Sequence, residues 1–329
     1  MKHQAKAILI TSAFPESEDN FISRQARAWI TSKPDYCWRL VSDPEEAEMI
    51  LFLEHHPGSD PLFLRVLLHP FRRRWPEKCW LFHDADKVFP LVPGVYPSLQ
   101  KQYLQPGMLA SWFYVTQFCV NPAIRYVPLT GRESFLYSFT GASRTHPVRP
   151  KILELRDSRA WLQDTSEKNG WELASDKQVS YHERYAQTLR ESKFVLCPRG
   201  ISPTSYRLLE AMKTGRAPVI ISDEWPLPEG PKWNDFSIIV HQSNISNIPE
   251  ILRERESEAL ALGCAARKAW EQYCTDDTKY AQLFEQFATM AKTRMNTLHL
   301  PVQYYLRTLN SKNGFRALFH SLRGYLKIR

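Results

Sequence analysis

Two arginines and a glutamate lie close together in a segment that reads as a strand, a turn and a helix. The strand is the apolar run 194–197, and Arg199 lies in the turn after it. Arg207 and Glu210 are three residues apart in the predicted helix, so they share one helical face. Arginine makes bidentate hydrogen bonds to phosphate, and a carboxylate accepts hydrogen bonds from ribose hydroxyls. These residue types predict a site for the diphosphate and ribose of a nucleotide.

The elements around these residues suit an anion site. Ser202 is predicted as the N-cap of a helix with Pro203 at its first position, and Gly215 is predicted to close that helix. Free N–H groups at a helix N-terminus attract phosphate, and ligands of α/β proteins bind at the carboxyl edge of the sheet. The alternative is a surface ion pair between Arg207 and Glu210, which contributes only about 0.2–0.5 kcal/mol. The spacing alone favours that ion pair.

The same segment resembles the donor-binding segment of exostosin-family glycosyltransferases. The similarity spans about residues 135–252 and is most specific in its central part, whereas the first 130 residues show only general similarity. The residues that carry it are Cys197-Pro198-Arg199-Gly200, Ser202, Ser205, Arg207, Leu208, Glu210, Ala211, Gly215, Pro218-Val219-Ile220, Ser222-Asp223, Trp225 and Leu227-Pro228, with Phe139, Gly141 and Arg149 before them. One departure is Glu229-Gly230, where the family often has an aromatic residue.

The resemblance implies a fold and a donor site. The fold is GT-B, an α/β architecture of two Rossmann-like lobes with a cleft between them. Arg199 and Arg207 would contact the donor diphosphate, Glu210 the ribose and Ser205 a phosphate oxygen. Trp225 would either pack on the donor sugar or fill the interior of its lobe, and packing on the sugar is the favoured role. The other residues predicted to bind the donor are Gly141, Arg149, Gly200, Ser202 and Thr204.

A second group of chemically useful residues follows an earlier strand, in the sequence Trp80-Leu81-Phe82-His83-Asp84-Ala85-Asp86. An Asp-x-Asp pair offers oxygen ligands to a divalent cation, but the pattern is short and common by chance. Strand ends of the first lobe are also where an inverting enzyme would place its general base. The candidates for that base are His83, Asp84, Asp86 and Glu54, with Glu16 as a further residue near a strand end. Each alone is also explained as an ordinary loop residue.

Strand and helix patterns alternate along the chain, which predicts parallel sheets in two α/β lobes. The first lobe, on the acceptor side, is predicted at 1–130 and the donor lobe at 131–295, followed by a basic helical tail at 296–329. The predicted strands are 5–10, 49–53, 80–83, 125–127, 135–139, 194–197, 217–222 and 237–240. The predicted helices include a short one at 43–46, a helical pattern at 61–74, and helices near 151–159, 180–192, 203–214 and 247–295.

Composition limits the classes of function. Hydrophobic residues make up 43% and charged residues 24% of the 329 residues, as in a globular enzyme. The six cysteines contain no CxxC pair and are predicted to be reduced, buried thiols. The histidines lack HxxxH and HExxH spacings, so no zinc site is indicated. No apolar run reaches the roughly 18 residues of a membrane span, and the short one at 7–10 does not suit a signal segment, which predicts a cytoplasmic protein.

The net charge of +8 comes from the end of the chain. No acidic residue follows Glu285, yet eight basic residues do: Lys292, Arg294, Arg307, Lys312, Arg316, Arg323, Lys327 and Arg329. Apolar residues are interleaved with the last of them at Leu318, Phe319, Leu322, Tyr325 and Leu326. This pattern predicts contact with an anionic membrane at its inner face, with about 1 kcal/mol from each basic residue. The alternatives are a solvated basic helix and a helix that packs onto the first lobe.

Together these observations predict a hexosyl- or glycuronosyltransferase. Its partners would be a nucleotide-sugar donor and a glycan or lipid-linked glycan acceptor, with no nucleic acid. The reaction is expected to proceed with inversion, as the resemblance implies, and without a metal or other cofactor. Two other functions stay open: a metal-dependent transferase that uses Asp84 and Asp86, and a non-catalytic protein that binds a polyanion through the tail.

Overall fold

A computed structural model describes residues 5–14, 21–55, 60–116, 121–167, 175–294, 302–310 and 312–326. The predictions that concern Glu16, Cys119, Lys327 and Arg329 lie outside these residues. For Tyr325, Arg307 and Lys312 only the backbone is described.

The chain forms two compact units. The first comprises residues 1–116, 226–228 and 280–329, and the second comprises 117–225 and 229–279. The first segment of the first unit ends at residue 116, before the boundary predicted at 130. It also includes most of a helix at Lys279–Thr293 that the sequence had assigned to the donor lobe.

The first unit contains a six-stranded sheet, in which all the pairings are parallel. Its strands are β1 (Lys6–Thr11), β2 (Trp38–Leu40), β3 (Met49–Glu54), β4 (Cys79–His83), β5 (Gly94–Val95) and β6 (Leu109–Ala110). Its helices are α1 (Phe21–Thr31), α2 (Leu64–Leu67) and α3 (Pro70–Arg74), together with α9 (Lys279–Thr293), α10 (Val302–Leu309) and α11 (Lys312–Leu326). Every residue of β3 and β4 is buried, because parallel strands are covered on both faces.

The second unit contains a five-stranded sheet, again with parallel pairings throughout. Its strands are β7 (Phe135–Gly141), β8 (Ala160–Asp164), β9 (Ser192–Pro198), β10 (Ala217–Ile221) and β11 (Ile238–Ile239). Its helices are α4 (Val148–Leu153), α5 (Ser175–Arg190), α6 (Tyr206–Thr214), α7 (Ile248–Glu254) and α8 (Ala259–Tyr273). The core of this unit is formed by apolar residues of β7, β9 and β10 together with α4, α7 and α8.

The two sheets share a strand order. The first runs β2-β1-β3-β4-β5-β6 and the second runs β11-β10-β9-β7-β8. Read from the β8 edge, the second sheet has the same 2-1-3-4-5 order as the first. In sheets of this order, ligands bind where the chain reverses its direction of winding, beyond the carboxyl ends of the first and third strands. The prediction of two Rossmann-like α/β lobes with parallel sheets is confirmed.

Several predicted elements were wrong in detail. Residues 125–127 form no strand, and residues 44–46 form a turn in which Asp43 Oδ1 accepts from the Glu45 N–H at 2.8 Å. The helix predicted from Pro203 begins at Tyr206, three residues later, and it ends at Thr214 before Gly215 as predicted. Strands β2, β5, β6 and β8 were missed. Strands β2, β5 and β6 are only two or three residues long, and β8 lies at an edge of its sheet and is not fully buried, so the apolar signal of each is weak.

The last two helices pack onto the first unit. Tyr304 of α10 and Ala317 of α11 belong to its buried core, and Ser321 Oγ accepts a hydrogen bond from the Leu62 N–H at 2.9 Å. Among the described residues, no helix combines the length and apolar character that crossing a bilayer requires.

The cysteines of the described residues are free thiols, as predicted. Cys79, Cys197 and Cys274 are buried, but Cys37 and Cys264 are exposed, so the prediction that the cysteines are buried was wrong for these two.

Candidate functional site

The predicted donor residues gather where the second sheet reverses its winding. Strands β7 and β9 are the first and third strands of this unit, and they pair side by side from Phe135 and Ser192 onward. They end at Gly141 and Pro198, and the turn with Arg199 follows the second of these ends. This is the position at which sheets of this order bind ligands. The sequence-predicted residues are therefore brought to one edge of one sheet.

Arg149 holds the turn after β9 in place. Its Nε donates to the Arg199 carbonyl at 2.9 Å, its Nη1 to the Ala142 carbonyl at 3.2 Å and its Nη2 to the Pro198 carbonyl at 3.5 Å. A Cβ on Gly200 would lie 2.8 Å from Arg149 Nη2, so only glycine admits this approach without a shift. The sequence predicted donor contact for Arg149, whereas these contacts indicate that it positions the turn.

Arg199 lies in the turn that Arg149 fixes, and its side chain is buried. Its guanidinium forms an ion pair with the half-exposed carboxylate of Glu224, and within the described part of the chain its Nε has no hydrogen-bond partner. Burial lowers the pKa of Arg199, while the charge of Asp223 opposes that effect. An arginine of such high ordinary pKa stays charged, so the turn presents a buried cation with the carboxylates of Glu224 and Asp223 as nearby negative charges.

Arg207 points back from α6 toward the end of β7. Its Nη2 donates to the Thr140 carbonyl at 2.5 Å, and its guanidinium lies 4.9 Å from the centre of the Phe139 ring. The described residues contain no ion pair between Arg207 and Glu210, so the surface ion pair that the spacing favoured is absent. Arg207 is anchored at the end of β7 with Nη1 only 3.5 Å from Ser205 Oγ.

Gly141 leaves the space that the Arg207 guanidinium occupies. A Cβ at this position would lie 2.7 Å from Arg207 Nη2 and 3.1 Å from the Phe139 ring. Since Nη2 is the far end of a flexible side chain, an alanine would displace the guanidinium, and it would also require a small shift of the Phe139 ring.

The variant Gly141→Ala is therefore expected to lower kcat about tenfold or more, the effect of losing one hydrogen bond to a charged group. Its thermal midpoint should change by only a few degrees. Steady-state kinetics with a double-mutant cycle check this result. In an Arg207→Ala background, Gly141→Ala should have no further effect on kcat, and equal effects in both backgrounds would contradict the displacement.

Glu210 is bound to a residue that the sequence analysis missed. The Tyr185 hydroxyl of α5 donates to Glu210 Oε2 at 2.5 Å, while Oε1 has no partner among the described residues. Burial raises the pKa of Glu210 to about 7, and the Tyr185 hydrogen bond and the charge of Arg207 oppose the rise. Burial and the Glu210 charge raise the pKa of Tyr185, so the phenol stays protonated and remains a donor. One carboxylate oxygen is thus held by Tyr185, and the other accepts no hydrogen bond within the described residues.

The polar residues between Arg199 and α6 form an ordered turn. Ser202 Oγ accepts from the Thr204 N–H at 3.2 Å, and both side chains are buried. Ser205, rather than Ser202, occupies the N-cap position of α6, where its side chain makes no capping bond. The prediction of Ser202 as N-cap was wrong because Ser202 closes a turn of its own before the helix starts.

Trp225 is buried inside the second unit at 2% exposure. Its ring packs against Trp233 with centroids 5.4 Å apart in a T-shaped arrangement. The burial favours the alternative in which this residue fills the interior of its lobe over the favoured role of packing on a donor sugar.

The first unit has its own set of buried polar residues at strand ends. Glu54, the last residue of β3, is buried, and its carboxylate accepts from Ser12 Oγ at 2.6 Å and from the Ala13 N–H at 2.7 Å. Ser12 and Ala13 follow β1, so Glu54 bridges the first and third strands at the reversal of the first sheet. This arrangement gives Glu54 a structural role, not the exposed position that a base requires.

The residues at the end of β4 and just after it differ in how far solvent reaches them. His83 lies between the rings of Phe63 and Tyr96, with centroids 4.3 and 6.3 Å away. Asp84 is fully buried, and its Oδ2 accepts from the N–H and the hydroxyl of Thr116. Burial raises the pKa of Asp84 to about 7, which the Thr116 hydrogen bonds oppose.

Asp86 is the partly exposed member of this group, and its Oδ1 accepts from the Tyr114 hydroxyl at 2.8 Å. Tyr114 in turn lies 2.9 Å from Ser98 Oγ. Of the four residues predicted as candidate bases, solvent therefore reaches Asp86, whereas His83, Asp84 and Glu54 are buried.

Three residues of the donor region escaped the sequence analysis. Tyr185 lies in a helix that begins earlier than predicted, and nothing in the spacing links it to Glu210. Glu224 lies just past β10, next to Asp223, which is one of the residues that carry the family resemblance. Its negative charge could have indicated an ion pair with Arg199. Thr140 contributes a backbone carbonyl, which leaves no mark in the sequence. Within the described residues there is no cluster of three or more His, Cys, Asp or Glu side chains placed to hold a metal.

Several known proteins are similar to part of this chain. Exostosin-1 of Drosophila melanogaster is 28% identical over 156 residues, which cover 43% of this chain and 20% of that protein. The Exostosin-1 homolog of Caenorhabditis elegans is 35% identical over 117 residues, covering 32% of this chain and 30% of that protein. The chain therefore spans less than a third of the length of these relatives.

Solved structures are similar over most of the chain, although the likeness is low. The crystal structure of Anabaena Alr3699/HepE in complex with UDP matches with a TM-score of 0.39 and 11% identity. The match covers 87% of this chain and 100% of that one. A glycosyltransferase from Rickettsia africae matches with a TM-score of 0.40 and 8% identity, over 90% of this chain and 100% of that one.

The sequence model of the Exostosin GT47 domain matches residues 117–255. This range contains β7 to β10 and the turn with Arg199, and it begins at the first residue of the second unit. Residues 117–255 of this chain are therefore similar to the Exostosin GT47 domain, in agreement with the resemblance seen in the sequence.

Proposed function

We propose that this protein is a glycosyltransferase that moves a sugar from a nucleoside-diphosphate sugar to a hydroxyl of a glycan acceptor. The observation that carries the proposal is the convergence of Arg199, Arg207 and Glu210 at the reversal of the second sheet. Two cations there suit a diphosphate, and a carboxylate with one unoccupied oxygen suits a ribose.

The reaction proposed is a direct displacement. The acceptor oxygen forms a bond to the anomeric carbon while the bond from that carbon to the diphosphate oxygen breaks, so the configuration inverts. The departing diphosphate gains negative charge, and Arg199 and Arg207 stabilise that charge. The Arg207 guanidinium is held at the end of β7 before the donor arrives, so it needs little reorganisation during the reaction. The proposal requires neither a metal nor another cofactor.

The acceptor hydroxyl loses its proton to a general base in the first unit. We assign this role to Asp86, since a base has to reach the acceptor and Asp86 is the candidate that solvent reaches. Its hydrogen bond from Tyr114 fixes the carboxylate without closing it off. Asp84 has a pKa suited to a base, yet both its burial and its two bonds to Thr116 oppose that role.

The donor sugar is a hexose or a uronic acid in this proposal. One relative supports the second possibility by name: the probable glucuronoxylan glucuronosyltransferase IRX7 of Arabidopsis thaliana is 26% identical over 146 residues. These residues cover 42% of this chain and 31% of that protein.

The test is release of nucleoside diphosphate from a panel of nucleotide sugars, measured with and without a chelator. We expect release from at least one donor, unchanged by the chelator, and a product of inverted anomeric configuration by NMR. Asp86→Asn should lower kcat at least 100-fold, a typical contribution of a general base, with Glu77→Gln of the same unit as a control. Activity lost with chelator and restored by a divalent cation would favour the metal-dependent alternative with Asp84 and Asp86. No release from any donor would reject the proposed activity.

A further inference from the structure

Helix α11 packs onto the first unit with only one of its faces. Ala317 and Ser321 are buried, and Leu318 contacts the hydrophobic core of that unit. The hydrogen bond from the Leu62 N–H to Ser321 Oγ fixes the rotation of the helix about its axis. Among the side chains that the structure describes, the docked face therefore holds small residues and one leucine, whereas the larger apolar side chains of the helix are exposed.

Those larger side chains form a separate exposed stripe. Phe315, Phe319, Leu322 and Leu326 are exposed by 70%, 63%, 45% and 68%. At about 100° per residue, their spacings of four, three and four place all of them within an arc of roughly 60°. A soluble helix normally turns such a stripe inward. Leu306 of the neighbouring α10 adds a further side chain with 59% exposure.

The side of the helix next to the stripe and away from the docked face is basic. Arg316 and Arg323 are exposed, and the helical period places them about 90° and 70° from the centre of the stripe, away from the docked face. Lys327 of the sequence continues the same spacing. No acidic residue follows Glu285, so no carboxylate of α10 or α11 neutralises this side. Around the helix the order is docked face, apolar stripe and basic edge.

We propose that this stripe, defined by Phe315, Phe319, Leu322 and Leu326, is a docking surface for an anionic lipid bilayer. Interfacial helices have an apolar face that enters the acyl region by about 5–10 Å and a basic edge at the level of the headgroups. Arg316 and Arg323 complement the negative charge of such headgroups. The docked face holds the helix parallel to the surface of the first unit, so the bilayer meets the side of α11 and not its end.

The charge pattern selects the bilayer over a second copy of the chain. A two-fold contact through this stripe would bring the Arg316 and Arg323 edges of two copies together, with no acidic residue on α10 or α11 to offset them. A bilayer of anionic lipid supplies the opposite charge over the whole edge. The inference concerns α11 alone and does not depend on the donor chemistry of the second unit.

Flotation of the full chain with vesicles tests the proposal. We expect most of the protein to float with vesicles of phosphatidylglycerol and phosphatidylcholine at 50 mM salt, and much less at 500 mM, about where screening removes the headgroup attraction. Phe315→Ser combined with Phe319→Ser should lower the bound fraction at least fivefold. Val179→Ser is the matched control, since Val179 is exposed by 65% on α5 of the second unit, and it should float like the wild type.

Three results would overturn the proposal. The first is no flotation of the wild type with anionic vesicles at low salt. The second is equal flotation of the wild type and the Phe315/Phe319 double variant. The third is a dimer, detected by light scattering, that dissociates in the double variant while lipid binding is absent, since the stripe would then be a contact between copies of the chain. Circular dichroism checks that the double variant keeps its helices.

Discussion

The variant Arg207→Ala is expected to lower kcat at saturating donor by about 10²- to 10³-fold. The removal of one preorganised group that stabilises charge in the transition state typically has an effect of this size. Arg207 is held at the end of β7 by the Thr140 carbonyl and lies over the Phe139 ring, so its guanidinium is in place before the donor binds. Charge on the diphosphate grows as the bond to the sugar breaks, and the loss should therefore appear in kcat more than in KM.

Steady-state kinetics with a thermal unfolding scan measure this effect. The control is Arg184→Ala, which removes an exposed arginine of α5 and should leave kcat unchanged. The variant Arg207→Lys keeps the charge but loses the fork of donors, so it should recover only part of the lost rate. An unchanged kcat for Arg207→Ala at saturating donor would rule out this role, and a fall in thermal midpoint of more than about 8 °C would point to a structural one.

The variant Glu210→Gln is expected to weaken donor binding about 10- to 100-fold above pH 7, because a neutral amide replaces a carboxylate that accepts hydrogen bonds from the ribose. The wild type should also show a pH dependence of its own. Burial raises the pKa of Glu210 to about 7, so the carboxylate is protonated below that pH and ionised above it. Donor affinity is therefore expected to rise as the pH increases through 7 and to level off beyond it.

Calorimetric titration at pH 6, 7 and 8 measures both effects. Glu210→Gln should remove the pH dependence, since glutamine does not titrate. Tyr185→Phe should move its midpoint upward, because the Tyr185 hydrogen bond holds the pKa of Glu210 down. A wild type whose affinity is constant across this range, or a Glu210→Gln variant that binds the donor normally, would contradict the ribose assignment.

The same carboxyl also affects stability. Its folded-state pKa lies above that of an exposed glutamate, so the folded chain binds this proton more tightly than the unfolded chain does. The contribution of Glu210 to the free energy of unfolding is present at low pH and is lost as the pH rises from the ordinary carboxyl range to about 7. Asp84, whose pKa burial also raises to about 7, adds a loss of the same sign.

The parts of the fold that the sequence predicted best are those with strong apolar runs. Strands β1, β3, β4, β7, β9 and β10 were each predicted within about two residues because they are buried in parallel sheets. The short strands β2, β5, β6 and β8 carry too few apolar residues for such a signal. The sequence predicted a helix start at Ser202 and Pro203, but the chain makes one more turn and α6 has Ser205 at its N-cap position. A serine at either position fits the residue preference of an N-cap, so the sequence did not distinguish between them.

The candidate site followed a similar rule. Arg199, Arg207 and Glu210 are found at one sheet edge because a strand end, a turn and a helix leave little freedom over the twelve residues from Arg199 to Glu210. What the sequence did not indicate are contacts between distant segments: Arg149 with the carbonyls of the β9 turn, Tyr185 with Glu210 and Glu54 with Ser12. Each of these contacts involves a side chain that was predicted to serve a ligand or a substrate and that also makes a hydrogen bond within its own protein.

A crystal structure with a bound nucleoside diphosphate would show whether the donor diphosphate binds at the reversal of the second sheet. We expect diphosphate oxygens within hydrogen-bond distance of Arg199 and Arg207, with Glu224 moved off Arg199 and the ribose hydroxyls on Glu210 Oε1. Arg149 should keep its bonds to the Arg199 and Ala142 carbonyls. A diphosphate bound instead through a divalent cation at Asp84 and Asp86, with Arg199 still paired to Glu224, would contradict this position of the diphosphate.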